Sequence, residues 1–366
     1  MTSDEIKNSL AGIIEGEITL DESVRKTASR DASIFEIMPS CVVYPKHERD
    51  IQTVVRFVRD NKAANPELSI TVRSAGTCMS GGAINDSIIL DVTKYMQGIL
   101  EVKATEKDGF GRVLPGTYYR DFDAETKKIG LLMPTYSASR DICTVGGMVG
   151  NNAGGEKSLH YGKTENFVSM LRVVFDDGEV YEIKSLTLTE LQTKVASQTR
   201  EGNIYKAIYD LISTHYDEIT GAKPNVSKNS AGYYLWNVYD KQTGVFDLCR
   251  LIVGSQGTLG IVTEITFRLL PVNKASKLVV IFLNDLSYIG ELINTVLEYK
   301  PESIESYDDN TLKIAVKFFG DFLKKRGVVG MFKFMFSFLP EFFMMLSGGI
   351  PKIILLVECA GETEQE

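Results

Sequence analysis

Apolar positions alternate along this chain between helical spacing and short continuous runs. Ile6, Leu10, Ile13 and Ile14 recur at helical intervals and predict an opening amphipathic helix. Residues 29–35 read as an extended lead-in. The run 41–44 predicts a short buried strand closed by Pro45, and Ile51, Val54, Val55 and Val58 form the stripe of the next helix. A strand over 69–73, a glycine-rich loop over 74–83 and a strand over 88–92 complete an α/β unit with the loop at a strand's carboxyl end.

Further on, 113–116 predicts a strand end turning into a helix over 118–128, while 134–155 is almost free of regular pattern. Apolar runs at 171–175 and 180–183 flank Asp176-Asp-Gly178 and predict a hairpin. Thr187 and Glu190 are spaced as a capping box. A helix follows through Ile204, Ala207, Ile208, Leu211 and Ile212; then come a strand over 251–253, a further glycine loop and a closing strand over 263–270. After Pro271 the character changes to a strand over 278–283 and a helix over 286–299. We therefore divide the chain into a helix and lead-in (1–37), a main domain (38–273) and a further segment (274–366). The expected class is α+β.

At 366 residues the chain can bury two cores, and 44% hydrophobic with 24% charged residues is an ordinary globular composition. The net charge of −8 argues against nucleic acid as a partner. Five cysteines without a C-x-x-C spacing and three unclustered histidines predict no disulfide framework, iron–sulfur cluster or metal site in the chain. The opening MTSDEIKNSLAGIIEGEI is acidic without an apolar core, so no signal peptide is expected and a cytoplasmic setting is. Residues 328–357 are dense in Phe and Met but interrupted by Lys333, Pro340 and Glu341. They fit either a buried helix pair or a peripheral patch on the inner face of a membrane or a quinone path.

Three glycine-rich stretches carry the candidate chemistry: Arg73-Ser-Ala-Gly-Thr-Cys-Met-Ser-Gly-Gly82, Cys143-Thr-Val-Gly-Gly-Met-Val-Gly-Asn-Asn-Ala-Gly-Gly155 and Gly254-Ser-Gln-Gly-Thr-Leu-Gly260. Missing side chains let backbone amides approach an anion. Neither a G-x-x-x-x-G-K-[ST] run nor a strand leading into G-x-G-x-x-G is present, which excludes a P-loop and argues against an NAD-type fold.

In order and separation these stretches resemble the FAD-binding domain of the p-cresol methylhydroxylase/vanillyl-alcohol oxidase type. The resemblance implies a two-subdomain FAD-binding domain followed by the first part of an α+β cap domain. It assigns cofactor contacts to Arg73, Ser74, Ala75, Gly76, Thr77, Cys78 and Met79 in the first loop. In the second segment it assigns Pro134, Asp141, Thr144, Val145, Gly146 and Gly147, then Asn151, Asn152, Gly154 and Gly162. The third element, similar to "GSEGTLGIVTE", contributes Gly260, Ile261 and Val262. Asp31-Ala-Ser33 and Lys228-Asn-Ser-Ala-Gly-Tyr233 are nearest to bacterial D-lactate dehydrogenases and glycolate oxidase flavoprotein subunits. Members that attach FAD covalently often carry histidine directly after the R-S-G-G stretch. Here Thr77 follows Gly76, so non-covalent FAD is expected.

Such a relationship implies oxidation of a small 2-hydroxy acid of D-lactate or glycolate type by hydride transfer to flavin N5, with a quinone or iron–sulfur acceptor. The substrate groups of that family come largely from the cap and the segment after it, and no histidine follows His215. The chain is therefore expected to end inside the cap, and the catalytic base stays unassigned. His160, Lys228 and Tyr233 are weak candidates for substrate contact, and Trp236 is most simply a packing residue. Alternatives are a truncated FAD-binding module without turnover, or another enzyme on this fold, such as an aldonolactone oxidase or a reductase of cell-wall precursors.

Overall fold

The structure is a computed structural model that describes residues 1–226, 229, 231–318, 320, 351–361 and 363. It divides into two units: Met1–Gly155 with Gly162–Val272, and Glu156–Tyr161 with Asn273–Glu366.

The first unit opens with α1 (Ser3–Leu10), capped by a reciprocal Thr2–Glu5 box that satisfies two of its free amides. Ile6 and Leu10 turn inward, but Ala11 is extended and Gly12 takes φ +85°, which ends the helix. The expected continuation through Ile13 and Ile14 is thereby corrected: Ile13 is 58% exposed, and Ile14 reaches the core from a turn. Two short elements without a readable apolar period follow, β1 (Glu17–Thr19) and α2 (Glu22–Ala28). Then come β2 (Cys41–Tyr44), α3 (Glu48–Asn61), β3 (Ile70–Arg73) and β4 (Ile88–Asp91), close to where the pattern placed them.

These strands form a sheet in the order β1-β2-β4-β3, with β2 and β3 both parallel to β4. The period of two sorts its side chains. Cys41, Val43, Ile88 and Leu90 pack with Ile6, Leu10, Ile51 and Val54 of the helices. Val42 and Ile89 face the other way, onto Ala28 of α2. Both faces are covered, which explains why these strands read as unbroken apolar runs.

The chain continues through β5 (Ile99–Ala104), β6 (Gly109–Val113), α4 (Tyr119–Lys127), β7 (Leu131–Leu132), α5 (Val145–Gly150) and α6 (Ser158–Tyr161). After α6, which lies in the second unit, follow β8 (Val168–Val174), β9 (Val180–Thr187), α7 (Leu188–Ala196), α8 (Arg200–Thr214) and α9 (Tyr216–Gly221). The first unit closes with β10 (Tyr239–Asp240), β11 (Val245–Asp247), α10 (Cys249–Ile252) and β12 (Ile261–Pro271). Its second sheet runs β10-β11-β9-β8-β12-β6-β5, with β7 added on β12. The predicted hairpin is β8–β9, with Leu171 opposite Ile183 and Gly178 at φ +75° in the turn. The capping box of Thr187 and Glu190 starts α7.

Two local expectations are corrected here. The run 251–253 was expected to be a strand, but Cys249–Ile252 is a helical turn. Asp247 accepts the Cys249 amide at 3.0 Å, and a short buried apolar run fits a helix as well as a strand. The pattern-free stretch 134–155 contains α5, whose Val145, Met148 and Val149 turn inward at i, i+3 and i+4 despite the intervening glycines.

The second unit takes in Glu156–Tyr161, β13 (Ala275–Leu283), α11 (Ile289–Glu298), β14 (Ser303–Asp308), α12 (Asp309–Lys317) and β15 (Ile353–Gly361). Its strands form an antiparallel sheet in the order β13-β15-β14. Glu302, 4% exposed, is a polar hub beside β14. Its carboxylate accepts from Lys157 Nζ at 2.5 Å, from Tyr161 Oη at 2.5 Å and from Asn273 Nδ2 at 2.5 Å. Burial alone would raise the Glu302 carboxyl, but the bonds from Lys157 and Tyr161 outweigh it and hold it below the usual range. Of the apolar stretch 328–357, residues 328–350 lie outside the described residues; the remainder leads into and forms part of β15. Among the described residues no helix is long and apolar enough to cross a membrane.

Candidate cofactor site

Strand β3 delivers the first loop, and Arg73 at its end fixes the shape. The Arg73 side chain is buried and turns back onto main-chain carbonyls, donating to Arg30 O at 2.8 Å and Ala83 O at 3.1 Å. Gly76 sits against it at φ +66°, and a Cβ there would stand 2.4 Å from Arg73 Nη2, so only glycine fits. On the lead-in side, the Ala32 amide is shared between the carbonyls of Gly76 and Cys78, at 3.1 and 3.0 Å. Among the described residues the amides of 75–78 donate to no backbone carbonyl, which leaves them for another acceptor.

The second and third loops are bolted together. Gly254 N donates to Val149 O at 2.9 Å and Gln256 N to Gly150 O at 3.0 Å, so the third loop sits on the end of α5. The first loop meets the third where a Cβ on Gly82 would lie 2.6 Å from Gln256 Oε1. A Cβ on Gly257 would lie 2.6 Å from Val72 Cγ1 of β3. The third loop thus packs on β3 at Gly257 more closely than a Cβ allows, and on the first loop at Gly82 unless Gln256 moves.

Between the three loops lies a cleft open to solvent, with about 760 Å³ of atom-free space when the solvent at its mouth is included. Ser74, Ala75, Gly76, Thr77 and Cys78 line it from the first loop, Thr144, Gly146, Gly147 and Asn151 from the second, and Gly260 and Val262 from the third. Among the described residues no charged side chain lines it, so an anion would meet backbone amides and hydroxyls without a carboxylate opposing it. Thr144 is 1% exposed and its hydroxyl has no partner. A buried hydroxyl left unsatisfied costs about 1–3 kcal/mol, which a ligand acceptor in the cleft would recover. Glycine loops, an unopposed set of amides and this hydroxyl fit a dinucleotide.

Other residues expected at the cofactor stand outside the lining. Arg73 shapes the loop from behind. Met79 is 82% exposed, and Asp141 is exposed. Val145 and Ile261 turn into the core, Pro134 is buried, and Gly154 and Gly162 flank the excursion into the second unit. Asn152, at φ +47°, accepts the Glu165 amide at 3.0 Å and so shapes the loop's return. Val92, Pro115, Ile252, Ser255 and Gln256 line the cleft but were not expected; only Gln256 lay inside a quoted motif with Ser255, and the others come from distant strand and helix ends.

The weak substrate candidates fall in different units or outside the described residues. His160 is exposed, its ring on edge to Tyr161 at 4.6 Å. Tyr233 bonds Thr258 Oγ1 of the third loop at 2.7 Å, and Trp236 stacks on Tyr234 at 5.2 Å. Lys228 lies outside the described residues. Among the described residues no cluster of His, Cys, Asp or Glu could hold a metal ion.

Cys78 is the one cysteine in the cleft wall. Burial alone would raise its thiol, but donors from Ser80, Gly82 and Asn151 converge on the sulfur and pull it below the ordinary value. By contrast, burial pushes Cys41 up to about 12 and raises Cys143 and Cys249.

Comparison with known proteins agrees with this geometry. Residues 39–184 match the family described as an FAD binding domain. D-2-hydroxyglutarate dehydrogenase of Escherichia coli is 28% identical over 300 residues, covering 82% of this chain and 29% of that protein. Glycolate oxidase subunit GlcD of Bacillus subtilis is 26% identical, covering 86% of this chain and 55% of the relative. D-lactate dehydrogenase of Archaeoglobus fulgidus is 24% identical, covering 82% and 54%. The chain therefore spans between under a third and about half of these relatives. A solved structure of alkyldihydroxyacetonephosphate synthase superposes with a TM-score of 0.66 at 15% identity, over 98% of this chain and 56% of that one, a likeness of fold. The family match ends before the third loop, which the structure brings to the same cleft. Residues 39–184 therefore carry an FAD-binding domain, and FAD is its cofactor.

Proposed function

We propose that this chain is the flavin-holding part of an oxidoreductase that oxidises a small 2-hydroxy acid, of the class that includes D-2-hydroxyglutarate, D-lactate and glycolate. The observation that carries it is the convergence of three glycine loops on one uncharged cleft around the unpartnered Thr144 hydroxyl. The relatives' activities support the substrate class. When bound, FAD supplies the hydride acceptor. The chain's own contribution is binding: amides of 75–78 and the Thr144 hydroxyl donate to the cofactor, while Arg73 and Asn152 hold the loops that present them. Thr77 in the cleft wall offers no imidazole for attachment, so FAD is held non-covalently. The electron acceptor we propose is a quinone or an iron–sulfur centre.

Purified chain is expected to be yellow and to release its colour to the supernatant on acid precipitation. Anaerobic bleaching by one of the three acids supports the full proposal. Colour without bleaching by any of them supports a second reading, an FAD-binding module without turnover of its own. A colourless chain that takes up no FAD sinks both.

A further inference from the structure

Beyond cofactor binding, the cleft holds one addressable sulfur. Cys41, Cys143 and Cys249 are buried at 0%, 3% and 1% exposure. Cys78 is half-buried and faces the cleft, with Ser80 Oγ 2.9 Å from its sulfur and the Ser80 amide donating at 3.4 Å. Gly82 and Gln256 pack beside the sulfur: a Cβ on Gly82 would stand in ordinary contact, 3.5 Å from Cys78 Sγ, and 2.6 Å from Gln256 Oε1. A group attached to the sulfur therefore sits in the cleft wall, which Cys78 lines together with Gly82 and Gln256. That the cleft is built for a ligand rests independently on Thr144, buried to 1% in the same wall with an unpartnered hydroxyl.

We propose that Cys78 is a modification site gated by the cofactor, such that a carbon electrophile on its sulfur and FAD in the cleft exclude one another. This rests on the assignment of the cleft to FAD. In the alkylation step the thiol gives its proton to solvent and the sulfur forms a bond to the electrophile's carbon. With iodoacetamide the carbon–iodine bond breaks and iodide leaves. Donors converging on the sulfur favour the thiolate that attacks. Occupied by FAD, the cleft closes the line of approach, so the state of loading decides whether the sulfur reacts.

The test is pulsed iodoacetamide labelling of the full chain, flavin-free and FAD-saturated, read by peptide mass spectrometry. Cys359, in the second unit and partly exposed, serves as the internal reference. Labelling of Cys78 is expected to slow at least tenfold with FAD, while Cys359 is unchanged. Chain alkylated at Cys78 is expected to lose FAD binding, and Cys78→Ser to make whatever affinity remains indifferent to the reagent. Equal labelling of Cys78 with and without FAD, in a chain that visibly holds FAD, overturns the gating and leaves the cofactor assignment standing. Loss of FAD binding on treatment of Cys78→Ser also overturns it. A chain that takes no FAD before treatment overturns the cofactor assignment and this inference with it.

Discussion

Two polar clusters in this chain are built on opposite plans. Around Glu302 each carboxylate oxygen is met within the second unit, by Lys157 on one side and by Tyr161 and Asn273 on the other. Around Thr144, among the described residues of the first unit, a buried hydroxyl has no partner and the amides of 75–78 donate to no backbone carbonyl. Satisfied networks hold a fold in place, whereas unsatisfied groups kept in place by their surroundings await something from outside. The difference separates a structural polar core from a binding site without reference to any ligand.

The largest expected effect falls on the closed cluster. Glu302→Ala leaves Lys157 without its main partner and is expected to cost about 3–5 kcal/mol of stability, measured by urea unfolding of the full chain. A loss under 1 kcal/mol would place the hub among ordinary surface pairs. In the cleft, Gly76→Val sets a β-branched side chain at φ +66° against the Arg73 guanidinium. FAD affinity is expected to fall by about a hundredfold or more, from left-handed strain plus the clash. Titration of flavin-free protein with FAD reads this, and unchanged affinity would show that the first loop does not hold the cofactor.

A pH series sharpens the contrast further. The Glu302 carboxyl is held below its usual range, so the stability it contributes is present above about pH 4.3 and disappears as the pH falls through the lowered value. Burial would lower Lys157, but its bond and charge pairing with Glu302 raise it, so its contribution persists at neutral pH and is lost only above about pH 10.4. The urea midpoint of wild type is expected to drop more steeply than that of Glu302→Gln between pH 5 and 3; parallel curves would remove the hub from the acid response.

The smallest effect is the most discriminating. Thr144→Val keeps the shape and removes the unpartnered hydroxyl. Flavin-free stability is expected to hold or rise slightly, while FAD affinity falls about tenfold, the weight of one hydrogen bond. A variant that loses stability and keeps its affinity would reverse the assignment.

Much of the fold was legible where pattern and geometry share a cause. The strand Cys41–Tyr44 reads as an unbroken apolar run because helices cover both its faces, and α3 declares itself through Ile51, Val54 and Val55. The glycine loops could be found because close backbone approach demands glycine at recognisable places such as Gly76. What could not be read is what depends on distant residues meeting. The short apolar run 251–253 fits strand and helix equally until the Asp247 carboxylate accepts the Cys249 amide at the start of the helical turn. The resemblance assigns Arg73 a cofactor contact, yet its guanidinium serves the carbonyls of Arg30 and Ala83. Val92 and Pro115 join the cleft wall from strand and loop ends that carry no motif. Glu302 lies more than a hundred residues from Lys157 and Tyr161, so nothing local marks it as a hub.

The excursion of Glu156–Tyr161 into the second unit has a consequence for anyone who wishes to dissect this protein. The polypeptide passes between units at Gly155, again at Gly162 and finally at Val272, so the units are not beads on a string. Cleavage after Val272 would not release two clean halves. The N-terminal fragment would keep Lys157 and Tyr161 with no Glu302 to receive them, and the C-terminal fragment would expose a carboxylate shaped for donors left behind. A dissected flavin domain would therefore need residues 156–161 replaced by a short neutral turn before its behaviour could be laid to the cleft alone.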